Sequence, residues 1–286
     1  MRVLVLGATG MLGHEACGVL AAGGVEVLAA VRSTSTDLEA LSPVPAANRF
    51  GGWQCTDPQA TAELLKAARP DAVLNAVGIV KQSREVDDAA YAIRVNSLFP
   101  HELAALASEH GARLIHISTD CVFSGRVGGY SESSPTDPQD LYGQSKLLGE
   151  VHSRSHLTLR TSMIGYEIGT RHGLLEWFLA QRGGSAKGFV HAVFSGLTTT
   201  ALSRVILGLL LEHPDLNGVY HLAAKPISKL DLLTLINERM GLGIRITPDE
   251  ELHCDRSLDG SALERQTGIH PPSWEDMVDG LNQGNT

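Results

Sequence analysis

The sequence is poor in aromatic residues and in regularly spaced cysteines. Phe, Trp and Tyr make up 5% of its 286 residues, whereas 43% are hydrophobic and 30 are glycine. A chain with this much aliphatic content can bury a core, so the composition excludes a disordered or fibrous protein and favours a sheet-and-helix enzyme. Its length exceeds that of most single domains, which predicts one large domain with a smaller one attached.

The four cysteines, Cys17, Cys55, Cys121 and Cys254, lie far apart and form no C-x-x-C pair. Neither a zinc site nor a disulfide framework is therefore predicted, and we expect no metal. Scattered cysteines are typical of a reducing compartment, so we expect the protein in the cytoplasm.

Basic residues and long hydrophobic runs are also scarce. The 23 Lys and Arg residues are outnumbered by 32 Asp and Glu, which argues against a nucleic-acid partner because phosphate binding needs clustered positive charge. The first residues are strand-like and unlike a signal peptide. The most apolar later run, Val205–Leu211, is far shorter than the roughly 20 residues that span a bilayer. We therefore expect no membrane association.

The first half of the chain alternates short β-rich runs with helical stretches, which predicts a parallel sheet covered by helices. We assign the fold to the α/β class, as a doubly wound, Rossmann-like sheet. Asp57 before Pro58 predicts a helix start, since an aspartate cap followed by proline is favourable there. The predicted strands are Arg2–Leu6, Val25–Val31, Ala72–Ala76, Arg113–Ser118 and Leu157–Arg160, and the predicted helices are Met11–Ala21, Pro58–Ala68, Asp88–His110 and Gln139–His152.

After about Thr161 the alternation gives way to glycine-rich loops and further helices. We predict a dinucleotide-binding domain over 1–165 and a smaller, mostly helical substrate domain over 166–286. A strand-like run at 218–222 is expected to rejoin the first sheet, so the two regions interleave. Helices are predicted at Thr198–Leu211, Ser228–Met240, Leu258–Thr267 and Ser273–Leu281.

A glycine-rich loop follows the first strand and opens the first helix. Gly7, Gly10 and Gly13 are spaced three and three, which differs from the G-x-G-x-x-G of many dehydrogenases. Glycines here let a diphosphate approach backbone N–H groups at the helix start, although a turn without a ligand is the alternative. The predicted cofactor contacts in this loop are Gly7, Thr9, Gly10, Met11, Leu12 and Gly13.

The end of the second strand indicates which dinucleotide binds. An acidic residue there would bind the ribose hydroxyls of NAD, but Arg32 follows the strand instead, and Asp37 lies too far along to replace that acid. Arg32 can pair with a 2′-phosphate, so we predict NADPH, with NADH as the alternative. A solvated charge at the strand end is the other interpretation of Arg32.

Small residues after the next strand of the sheet are candidates for a wall of the cofactor site. Asn75, Ala76, Val77 and Gly78 follow the run that begins at Ala72, where a doubly wound sheet borders its dinucleotide. An ordinary strand-end turn explains the spacing equally well. Asn96, within the predicted helix Asp88–His110, is included among the predicted cofactor contacts.

Tyr142 and Lys146 are four residues apart and would share one face of a helix. A nearby ammonium stabilises phenolate, so we expect Lys146 to lower the pKa of Tyr142 towards working pH and to contact the cofactor ribose. Thr119 ends a strand at the edge where such sheets bind ligands, and its hydroxyl could bind a substrate carbonyl. Ser118 is the competing choice, and a capping role is the alternative for either hydroxyl.

Three ordered runs carry a family resemblance: Ser118–Gly125, Tyr130–Glu132 and Leu141–Glu150. With the glycine loop, they resemble the extended short-chain dehydrogenase/reductase family, and within it the nucleotide-sugar 4-keto reductases. The resemblance implies that Thr119 polarises the keto oxygen, Tyr142 is the general acid and Lys146 tunes it while binding ribose. It further implies hydride transfer to the 4-keto carbon of a nucleotide-linked 6-deoxyhexose, as in deoxysugar precursor synthesis for surface glycans.

Two departures from that pattern leave the sugar and its nucleotide open among dTDP, UDP and GDP compounds. Val77–Gln82 replaces a segment that faces the substrate in relatives, and Met163 stands where those reductases typically have tryptophan. Arg256 offers a bidentate clamp for a diphosphate, with a structural salt bridge as the alternative. The predicted substrate contacts are Lys81, Thr119, Met163, Arg171, Thr198 and Arg256.

Two other functions are compatible with the same scaffold. A nucleotide-sugar epimerase would use the tyrosine–lysine pair for transient oxidation, whereas a dehydratase is disfavoured because Cys121 stands where such enzymes often carry a second acid. A noncatalytic subunit resembling the regulatory partner of methionine adenosyltransferase is the third alternative. The expected partners are a nucleotide-diphosphate sugar and, in a homodimer, a second copy of the chain.

Overall fold

The protein is built around a seven-stranded parallel sheet. A computed structural model describes residues 1–32, 44–80, 88–168 and 173–283. The strand order is β11-β6-β5-β4-β1-β2-β3. From β1 the chain adds strands outward on one side as far as β3, and from β4 it adds them outward on the other side, as in a doubly wound fold. The strands are β1 (Arg2–Leu6), β2 (Glu26–Ala30), β3 (Arg49–Phe50), β4 (Ala72–Asn75), β5 (Arg113–Thr119), β6 (Leu157–Thr161) and, from the second region, β11 (Gly218–His221).

Alternating aliphatic residues of β1 supply two separate hydrophobic layers. Val3 and Val5 belong to the core cluster on one face, whereas Leu4 and Leu6 belong to the cluster on the other. Side chains of a strand alternate between the two faces, so a run that is apolar throughout is buried on both sides by helices. The flanking helices of the first region are α1 (Met11–Ala22), α2 (Pro58–Ala68), α3 (Ala89–Ile93), α4 (Phe99–Glu109) and α5 (Leu141–Leu148).

The helix starting at Pro58 forms where the sequence predicts it. Asp57 accepts hydrogen bonds from the backbone of Gln59 and Ala60, and Pro58 occupies the first turn. The helix ends at Ala68 because Arg69 adopts a left-handed conformation, with φ of 46°. The N-terminal cap and proline thus determine the start of this helix as expected.

Two helices of the first region differ from their predicted form. The single helix expected over Asp88–His110 contains a π-helical segment, Arg94–Leu98, between α3 and α4. The helix expected over Gln139–His152 spans only Leu141–Leu148 and ends at Gly149. A Cβ at Gly149 would collide with the carbonyl oxygen of Asn96, so close backbone packing against the π-helical segment accompanies this end.

The described residues of the second region form five helices and several short strands. β11 pairs with β6 in parallel register and therefore completes the edge of the large sheet. The prediction of a boundary at residue 165 stays a prediction. The helices are α6 (Leu174–Leu179), α7 (Thr199–Leu211), α8 (Lys229–Met240), α9 (Ser261–Thr267) and α10 (Trp274–Gln283).

Within the described residues, the chain after β6 also forms three small sheets, most of whose strands have two or three residues and give no clear sequence pattern. They pair as β10-β7, β12-β9-β14 and β13-β8. No helix of the described residues is long and apolar enough to span a bilayer. The strands are β7 (Met163–Ile164), β8 (Ser185–Phe189), β9 (Ala192–Phe194), β10 (Leu197–Thr198), β12 (Ile227–Ser228), β13 (Arg245–Asp249) and β14 (Cys254–Asp255).

Candidate active site

The glycine loop after β1 brings the backbone close to both α1 and the end of β4. Gly7 has φ of 75°, and a Cβ there would lie 3.2 Å from the backbone of Ala76. A Cβ at Gly13 would collide with the Gly7 carbonyl oxygen, so α1 can approach the loop only with glycine at that position. Gly10 precedes α1 in an extended conformation. This arrangement leaves the N–H groups at the start of α1 facing the loop, as in sites that bind diphosphates.

The other predicted residues of the loop differ in solvent exposure. Leu12 is buried, Thr9 and Met11 are partly exposed, and Gly10 is exposed. Arg32 lies at the carboxyl end of β2, exposed, and its positive charge lowers the pKa of Cys55, although burial raises that pKa overall. Its expected contact with a 2′-phosphate stays a prediction.

The turn after β4 lies beside the predicted catalytic lysine. Asn75 is fully buried, pairs its side-chain amide with His116, and accepts a hydrogen bond from the backbone N–H of Val77. Gly78 is exposed, and a Cβ there would lie 4.0 Å from Lys146 Nζ. The turn after β4 therefore passes close to the lysine ammonium.

The π-helical segment presents Asn96 to this turn. Its side-chain oxygen accepts a 2.8 Å hydrogen bond from Ile79 N–H, and its amide donates to Ile79 O and Ser145 Oγ at 2.9 and 3.1 Å. All side-chain donor and acceptor groups of Asn96 thus join the turn after β4 to α5. Single π-turns of this kind frequently occur at functional sites.

The helix α5 carries Tyr142 and Lys146 on one face, as predicted. Asp140 caps it by accepting a hydrogen bond from Gly143 N–H at 2.8 Å. Lys146 is 4% exposed and donates a 2.7 Å hydrogen bond to the carbonyl oxygen of Ile117. Burial lowers the pKa of Lys146 to about 8, and the carboxylate of Glu150 opposes that shift.

The electrostatics of Tyr142 differ from the expectation. Burial raises its pKa, Cys121 and Asp120 add to the rise, and hydrogen bonding with Thr119 opposes it. The prediction that Lys146 lowers this pKa towards neutrality is therefore wrong for this structure, because burial outweighs any attraction between phenolate and ammonium. A raised pKa keeps the phenol protonated near neutral pH, which is the state that a proton donor requires.

The two neighbouring hydroxyls at the end of β5 have different partners. Ser118 donates a 2.7 Å hydrogen bond to Glu150 in the interior. Thr119 donates to Asp120 at 3.2 Å, accepts from Cys121 N–H at 3.1 Å, and is the residue whose hydroxyl interacts with Tyr142. Because Ser118 is engaged with Glu150 and only Thr119 acts on the pKa of Tyr142, Thr119 is favoured over Ser118 as the partner of the tyrosine. The capping role considered for Thr119 coexists with this contact.

A buried ionic network lies beneath the two hydroxyls. Arg160 donates hydrogen bonds to both carboxylate oxygens of Glu150 and contacts Nε2 of His221 at 3.3 Å. Its guanidinium lies 5.4 Å from the centre of the Phe123 ring. His221 also bonds to the carbonyl oxygen of Tyr130. The network fixes β5, β6 and β11 relative to α5 and so supports the carboxyl edge of the sheet.

Of the predicted substrate contacts, some lie beside the end of β5 and others have structural roles elsewhere. Arg256 is brought next to the end of β5, where its Nε donates to Phe123 O at 2.9 Å and its Nη1 lies 3.7 Å from Cys121 Sγ. Thr198 is buried and caps α7 through Ala201 N–H, while Met163 pairs with Leu197 in a short sheet. Lys81 and Arg171 lie outside the described residues. Within the described ranges, no group of three or more His, Cys, Asp and Glu side chains could hold a metal ion.

Several residues of this site gave no recognisable sequence signal. Glu150 is the last residue of the run Leu141–Glu150, and Arg160 follows that run. Their ion pair depends on the packing of the end of α5 against β6. The charge of Lys229, at the start of α8, acts on Asp120, and nothing in its local sequence indicates this. For Asn96, the sequence indicates a cofactor contact but not the π-helical backbone that presents it.

Solved structures with the same architecture include two enzymes that contain bound nucleotides. The dTDP-4-dehydrorhamnose reductase of Bacillus anthracis, in complex with NADP, has a TM-score of 0.80 and 20% identity over 100% of this chain and 99% of that one. The enzyme WbmG of Bordetella bronchiseptica, in complex with NAD and UDP, has a TM-score of 0.79 and 20% identity over 98% and 92%. The predicted Rossmann-like fold is confirmed. The fold and its relatives define an NAD(P)-dependent oxidoreductase class, the extended short-chain dehydrogenases/reductases.

The match to one family model covers almost the whole chain. The model described as RmlD substrate binding domain matches residues 1–283, and the chain belongs to this family. The spore coat polysaccharide biosynthesis protein SpsK of Bacillus subtilis (strain 168) is 29% identical over 97% of this chain and 95% of that protein. The dTDP-4-dehydrorhamnose reductase of Escherichia coli (strain K12) is 28% identical over 78% and 73%. The predicted resemblance is thereby confirmed.

Proposed function

We propose that the protein reduces the 4-keto group of a nucleotide-linked 6-deoxyhexose with NADPH as the reductant. The observation that carries the proposal is the position of α5, which bears Tyr142 and Lys146: the buried Lys146 donates to Ile117 O, two residues before Thr119 at the carboxyl end of β5. The glycine loop fits a dinucleotide because Gly7 and Gly13 let the loop pack backbone to backbone against the end of β4 and the start of α1, the close strand–loop–helix packing of dinucleotide sites. Family membership supports the same reaction class.

The proposed residues divide the proton chemistry among them. NADPH supplies a hydride to the carbonyl carbon when it is bound. Thr119 donates a hydrogen bond to the keto oxygen, and Tyr142 donates the proton that converts the developing alkoxide into a hydroxyl. Lys146, protonated below its pKa of about 8, stabilises the resulting phenolate until a proton from solvent restores the phenol. Hydride and proton together convert the ketone into an alcohol, so the atoms and charges balance.

The choice of nucleotide remains open in this proposal between dTDP, UDP and GDP. The neighbours differ in this respect, since one is named for a dTDP sugar and another holds UDP. We therefore propose to measure NADPH oxidation with 4-keto-6-deoxyhexoses linked to each of the three nucleotides. Oxidation that depends on one of these substrates is the expected result. Product formation without added NADPH would instead identify an epimerase.

Tyr142→Phe provides the decisive variant. Removing a positioned general acid should lower kcat by about 100- to 10,000-fold while leaving NADPH binding intact. The matched control is Tyr220→Phe, because Tyr220 lies on β11 at the sheet edge away from α5. Unchanged turnover in Tyr142→Phe contradicts the proposed role. NADP(H) binding without turnover of any sugar, together with co-purification of a synthetase, would favour a regulatory subunit.

A further inference from the structure

A buried histidine in the middle of β5 takes no part in the proposed reaction. His116 is fully buried and is paired in register with Asn75 on the neighbouring strand β4. Both side chains point to the sheet face covered by the hydrophobic layer that contains Leu4, because Val73 and Leu114, two residues before each of them, belong to that layer. An imidazole in such apolar surroundings costs free energy unless its nitrogens are hydrogen-bonded.

Only one of the two ring nitrogens of His116 has a hydrogen-bond partner among the described residues. Nδ1 lies 3.1 Å from the side-chain nitrogen of Asn75. Nε2 is shielded from solvent and has no partner within that part of the chain. Such unpartnered buried atoms are rare, and an apolar side chain would fill the same space without this cost. What distinguishes the imidazole from an apolar residue here is therefore its Nδ1 atom.

The partners of Asn75 determine which nitrogen of His116 carries the proton. The side-chain oxygen of Asn75 accepts a 3.1 Å hydrogen bond from the backbone N–H of Val77, a group that can only donate. The side-chain nitrogen of Asn75 therefore faces His116, and Nδ1 must accept from it as an unprotonated atom. Burial lowers the pKa of His116 well below its usual range, and the charges of Lys146 and His101 add to that shift. The ring is thus neutral, with its proton on Nε2.

This chain of hydrogen bonds ends in the turn after β4, which is the predicted wall of the cofactor site. The turn contacts two other parts of that site. The backbone of Ala76 lies 3.2 Å from the position of a Cβ on Gly7, and a Cβ on Gly78 would lie 4.0 Å from Lys146 Nζ. A shift of the turn would therefore alter its spacing from the glycine loop and from the predicted catalytic lysine together.

We propose that His116 is a positioning residue, which fixes the Asn75 amide through its unprotonated Nδ1 and thereby holds the turn after β4 in the shape that binds NADPH. The inference rests on the proposed function, from which it takes the cofactor and its place beside this turn. A site that is already ordered loses less conformational entropy on binding its ligand. Without the Nδ1 acceptor the Asn75 amide can rotate, so that Val77 N–H loses its partner and the turn loosens.

The test compares two substitutions of closely similar shape. His116→Leu removes both ring nitrogens, whereas His116→Asn keeps an acceptor at the position of Nδ1. In the leucine variant, NMR hydrogen exchange at Val77 N–H should accelerate by about 3- to 10-fold in the cofactor-free protein, and fluorescence titration should show NADPH binding weakened by a similar factor, the size expected for one lost hydrogen bond. The asparagine variant should keep both quantities within about twofold of the unaltered protein. Ile79 N–H, which bonds to Asn96, should exchange at the same rate in all three proteins.

His156 provides the matched control, because it is also a buried histidine but contacts the other end of β5. Its Nδ1 accepts a hydrogen bond from Leu114 N–H, near the amino end of that strand. His156→Leu should lower stability without changing Val77 exchange or NADPH binding. Equal loss of NADPH affinity in the leucine and asparagine variants of His116 would assign this histidine to packing and overturn the proposal. Unchanged Val77 exchange or unchanged NADPH binding in His116→Leu would also overturn it.

A measurement on the unaltered protein covers the case in which His116→Leu fails to fold, as judged by circular dichroism. NMR of protein with isotope-labelled histidine distinguishes protonated from unprotonated ring nitrogens, and the His116 signals are those absent from the asparagine variant. We expect Nδ1 to be unprotonated and Nε2 to carry the proton, whereas a proton on Nδ1 would overturn the proposal. The proposed function fails separately, when the unaltered protein reduces no keto sugar, because none of these measurements needs a sugar substrate.

Discussion

Arg160 holds both carboxylate oxygens of Glu150 with hydrogen bonds of 2.7 Å in the protein interior. The pair joins β6 to the segment just after α5, since α5 ends at Leu148 and Glu150 follows its C-terminal Gly149. Ser118, the residue before Thr119, donates to the same carboxylate. A single buried ion pair therefore connects the two segments that carry the candidate catalytic side chains.

Arg160→Met should destabilise the protein strongly. Removal of one partner of a buried ion pair typically costs about 3–5 kcal/mol, because the other charge is left uncompensated. Urea unfolding followed by circular dichroism measures the change. The control is Arg239→Met, which removes the exposed pair with Asp279 and should cost less than about 1 kcal/mol. Equal losses in the two variants would show that burial of the first pair is not decisive.

Glu150→Gln should move the alkaline limb of kcat to lower pH. Burial lowers the pKa of Lys146 to about 8, and Glu150 raises it, so removing the carboxylate lowers it further. Protonated lysine supports turnover below that pKa, and activity is lost as the pH rises through it. Glu150 is absent from the groups that act on Lys229, so a shift reports on Lys146. The pH–rate profile at saturating substrates is the measurement, and an unmoved limb contradicts the coupling.

Gly13→Ala should weaken NADPH binding and lower stability together. The new Cβ would collide with the Gly7 carbonyl oxygen, which is backbone and cannot move without opening the loop. Gly18→Ala, in the same helix, meets nothing within 4 Å and should stabilise by up to about 1 kcal/mol through helix propensity. Fluorescence titration with NADPH and thermal unfolding would separate the two variants. Similar behaviour of both would contradict the close approach of α1 to the loop.

Arg32→Ala should reduce the preference for NADPH over NADH. A hydrogen-bonded charge pair with a 2′-phosphate contributes about 1.5–3 kcal/mol, so KM for NADPH should rise by about 10- to 100-fold. KM for NADH should stay nearly constant, because that cofactor has no phosphate at this position. Kinetics with both cofactors would test this. A clear preference for NADH in the unaltered protein would disprove the assignment before any substitution is made.

The parts of the fold that sequence patterns predict are those with local causes. β1 is found at Arg2–Leu6 and α2 at Pro58–Ala68, because an apolar run and an N-terminal cap determine them within a few residues. The π-helical segment at Arg94–Leu98 is not predictable from the sequence. Asn96 forms its side-chain hydrogen bonds with Ile79 and Ser145, which are distant in sequence. The short strands β7, β10, β12 and β14 have only two residues each and carry no detectable period.

The candidate site shows the same division. Tyr142 and Lys146 are predictable as neighbours because helix geometry brings residues four apart together. The direction of the Tyr142 pKa shift is not predictable from the sequence, because it depends on burial by the surrounding fold. Lys229 follows β12, whose pairing with β9 joins residues distant in sequence, so no local pattern predicts that its charge acts on Asp120.

The position of the edge strand β11 limits where the chain can be divided and affects how it folds. β11 pairs with β6 but enters the chain after α7, which itself packs against α1. A fragment ending at residue 165 would leave β6 as an unpaired edge and uncover the apolar side of α1, both of which promote self-association. Completion of the sheet must also wait for the closure of a long loop, so assembly should be slow and cooperative. The chain after residue 165 is thus needed for the predicted dinucleotide-binding domain to fold without self-association.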